Sequence, residues 1–147
     1  HNTLEASIKM PSGLFGSKAS VNVCIFVIKV NRPHEEDDVV TFIDFSEDGY
    51  LRQNRKKSTQ DVNLRNTDHA EERYDEVLAY VLGKKPKTNY YTETNGKIIK
   101  DTITLNGNDW NFNQHQKIDT TPTEEDFKAT VANYLSWKVS QLMKENF

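Results

Sequence analysis

One aromatic side chain, Phe15, stands on a short turn between two apolar stretches, behind Pro11 and between Gly13 and Gly16. A strand that stops at Pro11, loops past an apolar side chain and returns as a second strand can hold that side chain beside a ligand, and the glycines let the backbone come close. The plainer alternative is a Phe that plugs the edge of the core. Arg52, Arg55, Lys56 and Lys57 form the densest basic cluster, next to Tyr50 and Asn54. Cations on a loop suit DNA phosphates, contacts that give affinity and position without reading sequence. A solvated loop carries such groups too. Asn106, Asn108, Trp110, Asn111, Asn113, Gln114 and His115 crowd a third stretch. Amides can bond adenine edges and Trp can stack, but asparagines also favour turns. The expectation here is a structural loop pinned to the core by Trp110 and Phe112. Asp44, Glu47 and Asp48 lack the short Glu-x-Lys spacing of metal-dependent nucleases, so Asp44 is read as the cap of the turn that follows its strand.

These groups need elements to place them. Residues 4 to 10 alternate, with Leu4, Ala6, Ile8 and Met10 on one side and Glu5, Ser7 and Lys9 on the other. Residues 20 to 30 are mostly apolar and β-branched, which predicts a strand buried on both faces in the middle of a sheet. Residues 39 to 45 give a third strand after the acidic turn RPHEEDD. From Ser46 to Arg65 turn and charge signals predict loop. Asp68 with Glu71 predicts a helix cap; Ala70, Tyr74, Val77, Leu78 and Val81 share a helical face, and Gly83 supplies the stop. Residues 84 to 97 read as a polar surface excursion and 97 to 105 as a short strand before an Asn106-Gly107 turn. A final helix starts at Thr123 behind Pro122, with Phe127, Val131, Tyr134, Leu135, Val139 and Leu142 on its apolar side. Such a helix needs a partner surface.

The chain of 147 residues is long enough for one ordinary domain. Its net charge of -3 argues against coating nucleic acid by bulk charge, while leaving room for a local basic face. Cys24 is the only cysteine, so no internal disulfide can form, which suits a reducing cytosol. Its apolar surroundings predict a buried strand thiol. No apolar run is long enough to cross a bilayer. The sequence begins at His1 rather than Met, as a cloned fragment or proteolytic product would, and His1 itself is compatible with a vector-derived residue.

The text "IKMPSGLF" followed by "VNVCIFVIKV" resembles the segment after the catalytic motif in amino-directed adenine DNA methyltransferases, above all the M (modification) subunit of type I restriction-modification systems. The family pattern is an apolar strand, then P-x-G-x-F, then a second strand ending in a basic residue; Pro11, Gly13, Phe15 and Lys29 occupy those positions. "VVTFIDFSEDGYLRQNRKK" is similar to the M-subunit stretch in which a strand ending in Asp precedes a basic turn. The likeness covers residues 4 to 80, and "TITLNGNDWNFNQH" with the closing helix is similar to the tail of one M-subunit subgroup. The family's glycine-rich turn for S-adenosylmethionine and its Asn/Asp-Pro-Pro-Tyr/Phe motif are absent: the prolines are Pro11, Pro33, Pro86 and Pro122, with no adjacent pair.

The resemblance implies an α/β fold: the C-terminal half of a Rossmann-like methyltransferase sheet with an antiparallel strand pair, an added strand and loop region and a C-terminal helix. Residues 1–66 would carry the sheet strands and basic loop, and 67–147 the helical extension, packed as one unit. It implies a part of a cytoplasmic DNA adenine methyltransferase, inactive alone, whose S-adenosylmethionine site lies mostly outside it. Phe15 would stack on the target base, which must leave the duplex to be methylated. Pro11, Gly13 and Gly16 would shape the base-pocket loop, and Arg52, Arg55, Lys56 and Lys57 would contact phosphates. Partners would be DNA, a specificity subunit and a restriction subunit, and the exposed sheet edge and apolar face imply self-association or a marginally stable monomer. The alternatives are a non-catalytic module whose last helix binds the specificity subunit, and a free-standing binding domain with a coincidental strand pattern.

Overall fold

Four strands build the main sheet in the order β2-β1-β3-β6: β1 Asn2–Lys9, β2 Cys24–Val30, β3 Val39–Asp44 and β6 Ile98–Thr102. The structure is a computed structural model and describes residues 1–15, 21–53 and 63–145. β1 pairs antiparallel with β2 and parallel with β3, and β6 closes the other side antiparallel to β3. The fold is thus mixed α/β, with the expected antiparallel pair. A separate two-stranded hairpin, β4 Tyr50–Gln53 and β5 Asn63–Asn66, precedes helix α1, Ala70–Val81. A one-turn helix α2, Phe112–His115, and the long α3, Glu124–Glu145, follow. The chain divides into two compact units, His1–Gln116 and Lys117–Phe147.

The apolar run of residues 20 to 30 does not lie mid-sheet. Its strand is an edge among the described residues, and the central positions belong to β1 and β3. Apolar composition reports what a strand could bury, and here Ile25, Phe26, Ile28 and Val30 are all substantially exposed, Val30 at 65 %. Cys24 is correspondingly only half-buried. β3 holds the interior, with Val40, Phe42 and Ile43 fully buried; each such side chain contributes about 2 kcal/mol by leaving water.

Two apolar clusters sit on the sheet, and β1 feeds both. Ile8 packs with Ile43, Phe45, Val77, Tyr91 and Ile98, whereas Leu4 packs with Val40, Phe42, Ile103 and Phe112. Strict alternation would place Leu4 and Ile8 together. A bulge in the β1–β2 register between Leu4 and Ala6 adds one residue, Glu5, and inverts the strand's phase there.

The stretch from Ser46 to Arg65 is not all loop, since β4 and β5 pair within it. Gly49, at φ +85, allows the approach to α1: a Cβ there would lie 2.3 Å from the Asp68 carbonyl oxygen. The expected Asp68–Glu71 cap does not form. His69 is the N-cap, in the left-handed region, and the Asn66 side chain accepts the Ala70 N–H at 2.9 Å instead. Asp68 binds Arg73 at 2.5 Å. Gly83, at φ 66, follows the helix as its stop.

Residues 84 to 97 are more than a surface excursion. Glu76, 1 % exposed, accepts the N–H groups of Tyr90 and Tyr91 at 2.9 and 2.6 Å and the Thr88 hydroxyl, drawing Tyr91 into the core. The second unit contains α3, whose first turn is closed reciprocally: Asp126 accepts the Thr123 N–H at 3.0 Å and Thr123 Oγ1 accepts the Asp126 N–H at 3.1 Å. None of its residues is buried.

Candidate nucleic-acid interface

β1 and β3 run parallel, so their carboxyl ends lie side by side: Lys9 is registered with Asp44, and the Phe45 N–H donates to the Lys9 carbonyl at 2.9 Å. In open α/β sheets, ligands bind in crevices outside such carboxyl ends. The turn that carries Phe15 leaves from this end. Pro11 is buried and anchors it, Gly13 turns at φ 76 with open space where a Cβ would be, and the Phe15 ring is 54 % exposed. The ring therefore does not plug the core. Gly16 lies outside the described residues.

Asp44 closes β3 as a cap. It accepts the Ser46 N–H at 3.1 Å and the Ser46 hydroxyl at 2.5 Å, with Lys97 at 3.5 Å. Burial pushes its carboxyl up, but the Ser46 bonds and the nearby Lys97 and Lys9 charges outweigh it and hold the group below the usual range.

A cleft of about 400 Å³ separates the Pro11–Ser12 turn from the β4 hairpin, and Asp48, Gly49 and Arg52 line its far side. Asp48 is 1 % exposed and takes donors from Arg52, from the Tyr50 N–H at 3.1 Å and from the Tyr74 hydroxyl at 2.9 Å. Burial raises its pKa and these bonds, Arg52 first, lower it further than that, so it stays ionised. Burial and then the bond to Asp48 push the Tyr74 phenol up to about 12. Of the four basic residues singled out by sequence, Arg52 has its guanidinium engaged by Asp48, and Arg55, Lys56 and Lys57 lie outside the described residues.

The Asn-rich stretch comes to the same end of the sheet. Lys9 Nζ donates to Asn113 Oδ1 at 3.2 Å, the Cys24 thiol to Asn111 Oδ1 at 3.2 Å, and the buried Ser7 hydroxyl to the Trp110 carbonyl at 2.6 Å. Trp110 meets Phe26 edge-on, and Phe112 is buried, as the pinned-loop expectation required. His115 stacks on Phe42 with 4.0 Å between ring centroids, its Nδ1 2.9 Å from Asp101 Oδ2 and its Nε2 2.6 Å from the Asp109 carbonyl. Burial lowers its pKa, yet the Asp101 and Asp109 bonds more than reverse that, giving a net rise. In the sequence Lys9 is only a polar position of β1, and nothing local marks it as a partner of a residue 104 positions away.

The described junctions from β5 to α1 and from β6 to α2 carry a single glycine between them, Gly107, so neither has the glycine-rich form that the resemblance implies for S-adenosylmethionine. No described helix is long and apolar enough to cross a membrane.

The sequence pattern of the N-6 DNA Methylase family matches residues 1–138. The "Type II restriction enzyme and methyltransferase RM.BcgI" of Heyndrickxia coagulans is 29 % identical over 138 residues, which are 93 % of this chain. The chain spans 19 % of that relative's length. With an adenine-methyltransferase pattern running through both clusters, the exposed Phe15 turn and the Asn-rich loop, this chain belongs to the N-6 DNA methylase family.

Proposed function

We propose that this chain is the target-side portion of a site-specific DNA adenine methyltransferase of a restriction-modification system. The whole enzyme moves a methyl group from the sulfonium of S-adenosylmethionine to the adenine amino nitrogen, which gives up a proton. The cofactor is held by parts of the sheet beyond this segment, as in the C-terminal half of a Rossmann-like arrangement, and this segment alone transfers nothing.

The observation that carries the reading is the half-exposed Phe15 ring on a turn at the carboxyl end of β1 in a chain of this family. An extruded adenine loses its stacking neighbours, and a flat apolar face restores part of that energy. Pro11, Gly13 and Gly16 shape the loop. Arg55, Lys56 and Lys57 supply phosphate contacts, while Arg52 is tied to Asp48. The open edge of β2 is where the remaining sheet pairs, and a lone segment self-associates through it.

The test is a full-length enzyme bearing this segment, with 2-aminopurine at the target base. Phe15→Ala should weaken binding to the extruded base by about tenfold, in line with stacking worth roughly 1–3 kcal/mol per base, and Phe15→Trp should restore it. Equal binding by all three proteins would overturn the assignment.

A second role rests on α3. Phe127, Tyr134 and Leu135 are each more than half exposed. An apolar helix side of this kind docks in a groove, and a specificity subunit of the M-subunit type is its occupant. Association measured with and without residues 123–147 tests this.

A further inference from the structure

The Asn-rich stretch that packs against the end of β1 also lines a cleft. Between the end of β1, the residues leading into β2 and the α2 loop lies a cleft of about 510 Å³, within the range of small-ligand sites. Lys9, Asn22, Asn111, Asn113 and Gln114 supply its polar walls. The chain carries 22 acidic residues against 19 basic ones, yet none of the described lining residues is a carboxylate. A cation and four amides without an acid form a surface that suits a polyanion with hydrogen-bonding edges.

The walls are held and part of their polar capacity is left over. Lys9–Asn113, Cys24–Asn111 and Ser7–Trp110 tie the loop to the sheet. Asn111 donates its N–H to Gln114 Oε1 at 3.0 Å, and the Gln114 amide group reaches the Asn108 carbonyl. Asn113 uses only its carbonyl oxygen, and Asn22 makes no hydrogen bond among the described residues; both side chains are exposed. Met10 lines the cleft and is followed directly by Pro11, so the cleft adjoins the Phe15 turn.

We propose that this cleft binds the DNA strand next to the extruded base, with the Asn22 and Asn113 amides bonding base edges or phosphate oxygens and Lys9 adding charge. The proposal rests on the reading of the chain as a DNA methyltransferase segment. Amide side chains offer donor and acceptor together, which is what a base edge requires. Each lost bond of this kind weakens binding a few-fold.

The experiment titrates the isotopically labelled full-length enzyme bearing this segment with a short duplex bearing an unpaired adenine, following the side-chain amide signals of Asn22 and Asn113 by NMR. The variants Asn22→Ala and Asn113→Ala assign those signals, and the unchanged Trp110 indole signal confirms the fold. Both amide signals should shift, and the double variant should bind about fivefold more weakly. Binding that depends on Phe15 but leaves both amides and the double variant unaffected overturns this inference and spares the functional reading. No binding by the unmodified full-length enzyme overturns both.

Discussion

Arg52 and Asp48 form a two-pronged ion pair, Nη2 to Oδ2 at 2.5 Å and Nη1 to Oδ1 at 3.0 Å, that fixes the first strand of the hairpin to the turn before it. The carboxylate is buried and the guanidinium mostly covered. Removing the cation leaves a buried charge with two neutral donors. Arg52→Gln should cost about 2 kcal/mol in urea denaturation. It should leave the salt dependence of DNA binding by the full enzyme unchanged, whereas Lys56→Gln with Lys57→Gln should flatten that slope by about two. An Arg52→Gln protein of normal stability with a flattened slope would reassign Arg52 to the phosphates.

The same pair predicts an acid limb. Asp48 is held below its ordinary pKa, so its contribution is complete above the unfolded carboxylate value of about 3.9 and is lost as pH falls through the lower folded value. In Arg52→Gln this limb should move to higher pH.

His115 acts in the opposite sense. Its folded pKa is raised, so its contribution is fully present below about 6.5 and fades as pH climbs through the folded value. Denaturation at pH 5.5 and 8.5 should show the loss, and His115→Phe, which keeps the stack on Phe42, should remove the pH dependence. NMR titration of the ring protons gives the folded value directly; a value at or below the ordinary one refutes the prediction.

Glu76 receives three donors while almost wholly buried. Glu76→Gln turns an amide N–H toward an N–H, and should cost about 2–3 kcal/mol. Hydrogen exchange at the Tyr90 and Tyr91 amides should accelerate ahead of exchange in β3.

Gly49→Ala should be among the most damaging small changes in this chain, because its φ is positive and the new methyl meets the Asp68 carbonyl. A loss above about 3 kcal/mol is expected, read as a fall in thermal midpoint.

These contacts mark where sequence patterns sufficed. β1, β3, α1, β6 and α3 announced themselves because periodicity or β-branched runs coincided with burial or with flanking Pro and Gly. Edge and centre could not be told apart for β2: an apolar strand looks the same whichever neighbours it has. The β4–β5 hairpin hid because four-residue strands with alternating Leu and Arg carry little pattern, and Tyr91 hid because its burial depends on Glu76, fifteen residues away. Around the candidate site, the turn that carries Phe15 was legible from its Pro and Gly, while Arg52's engagement by Asp48 and the Lys9–Asn113 link arise only from tertiary placement.

Glu5, the extra residue in β1, acts as a phase shifter between the amino-terminal half of the strand and its carboxyl end. Single-residue insertions or deletions upstream of it should disturb only how Thr3 and Leu4 are seated, whereas the same lesions between Ala6 and Lys9 should invert the side-chain phase of the strand leading into the Phe15 turn. Tolerance to length change along this one strand is therefore sharply polarised.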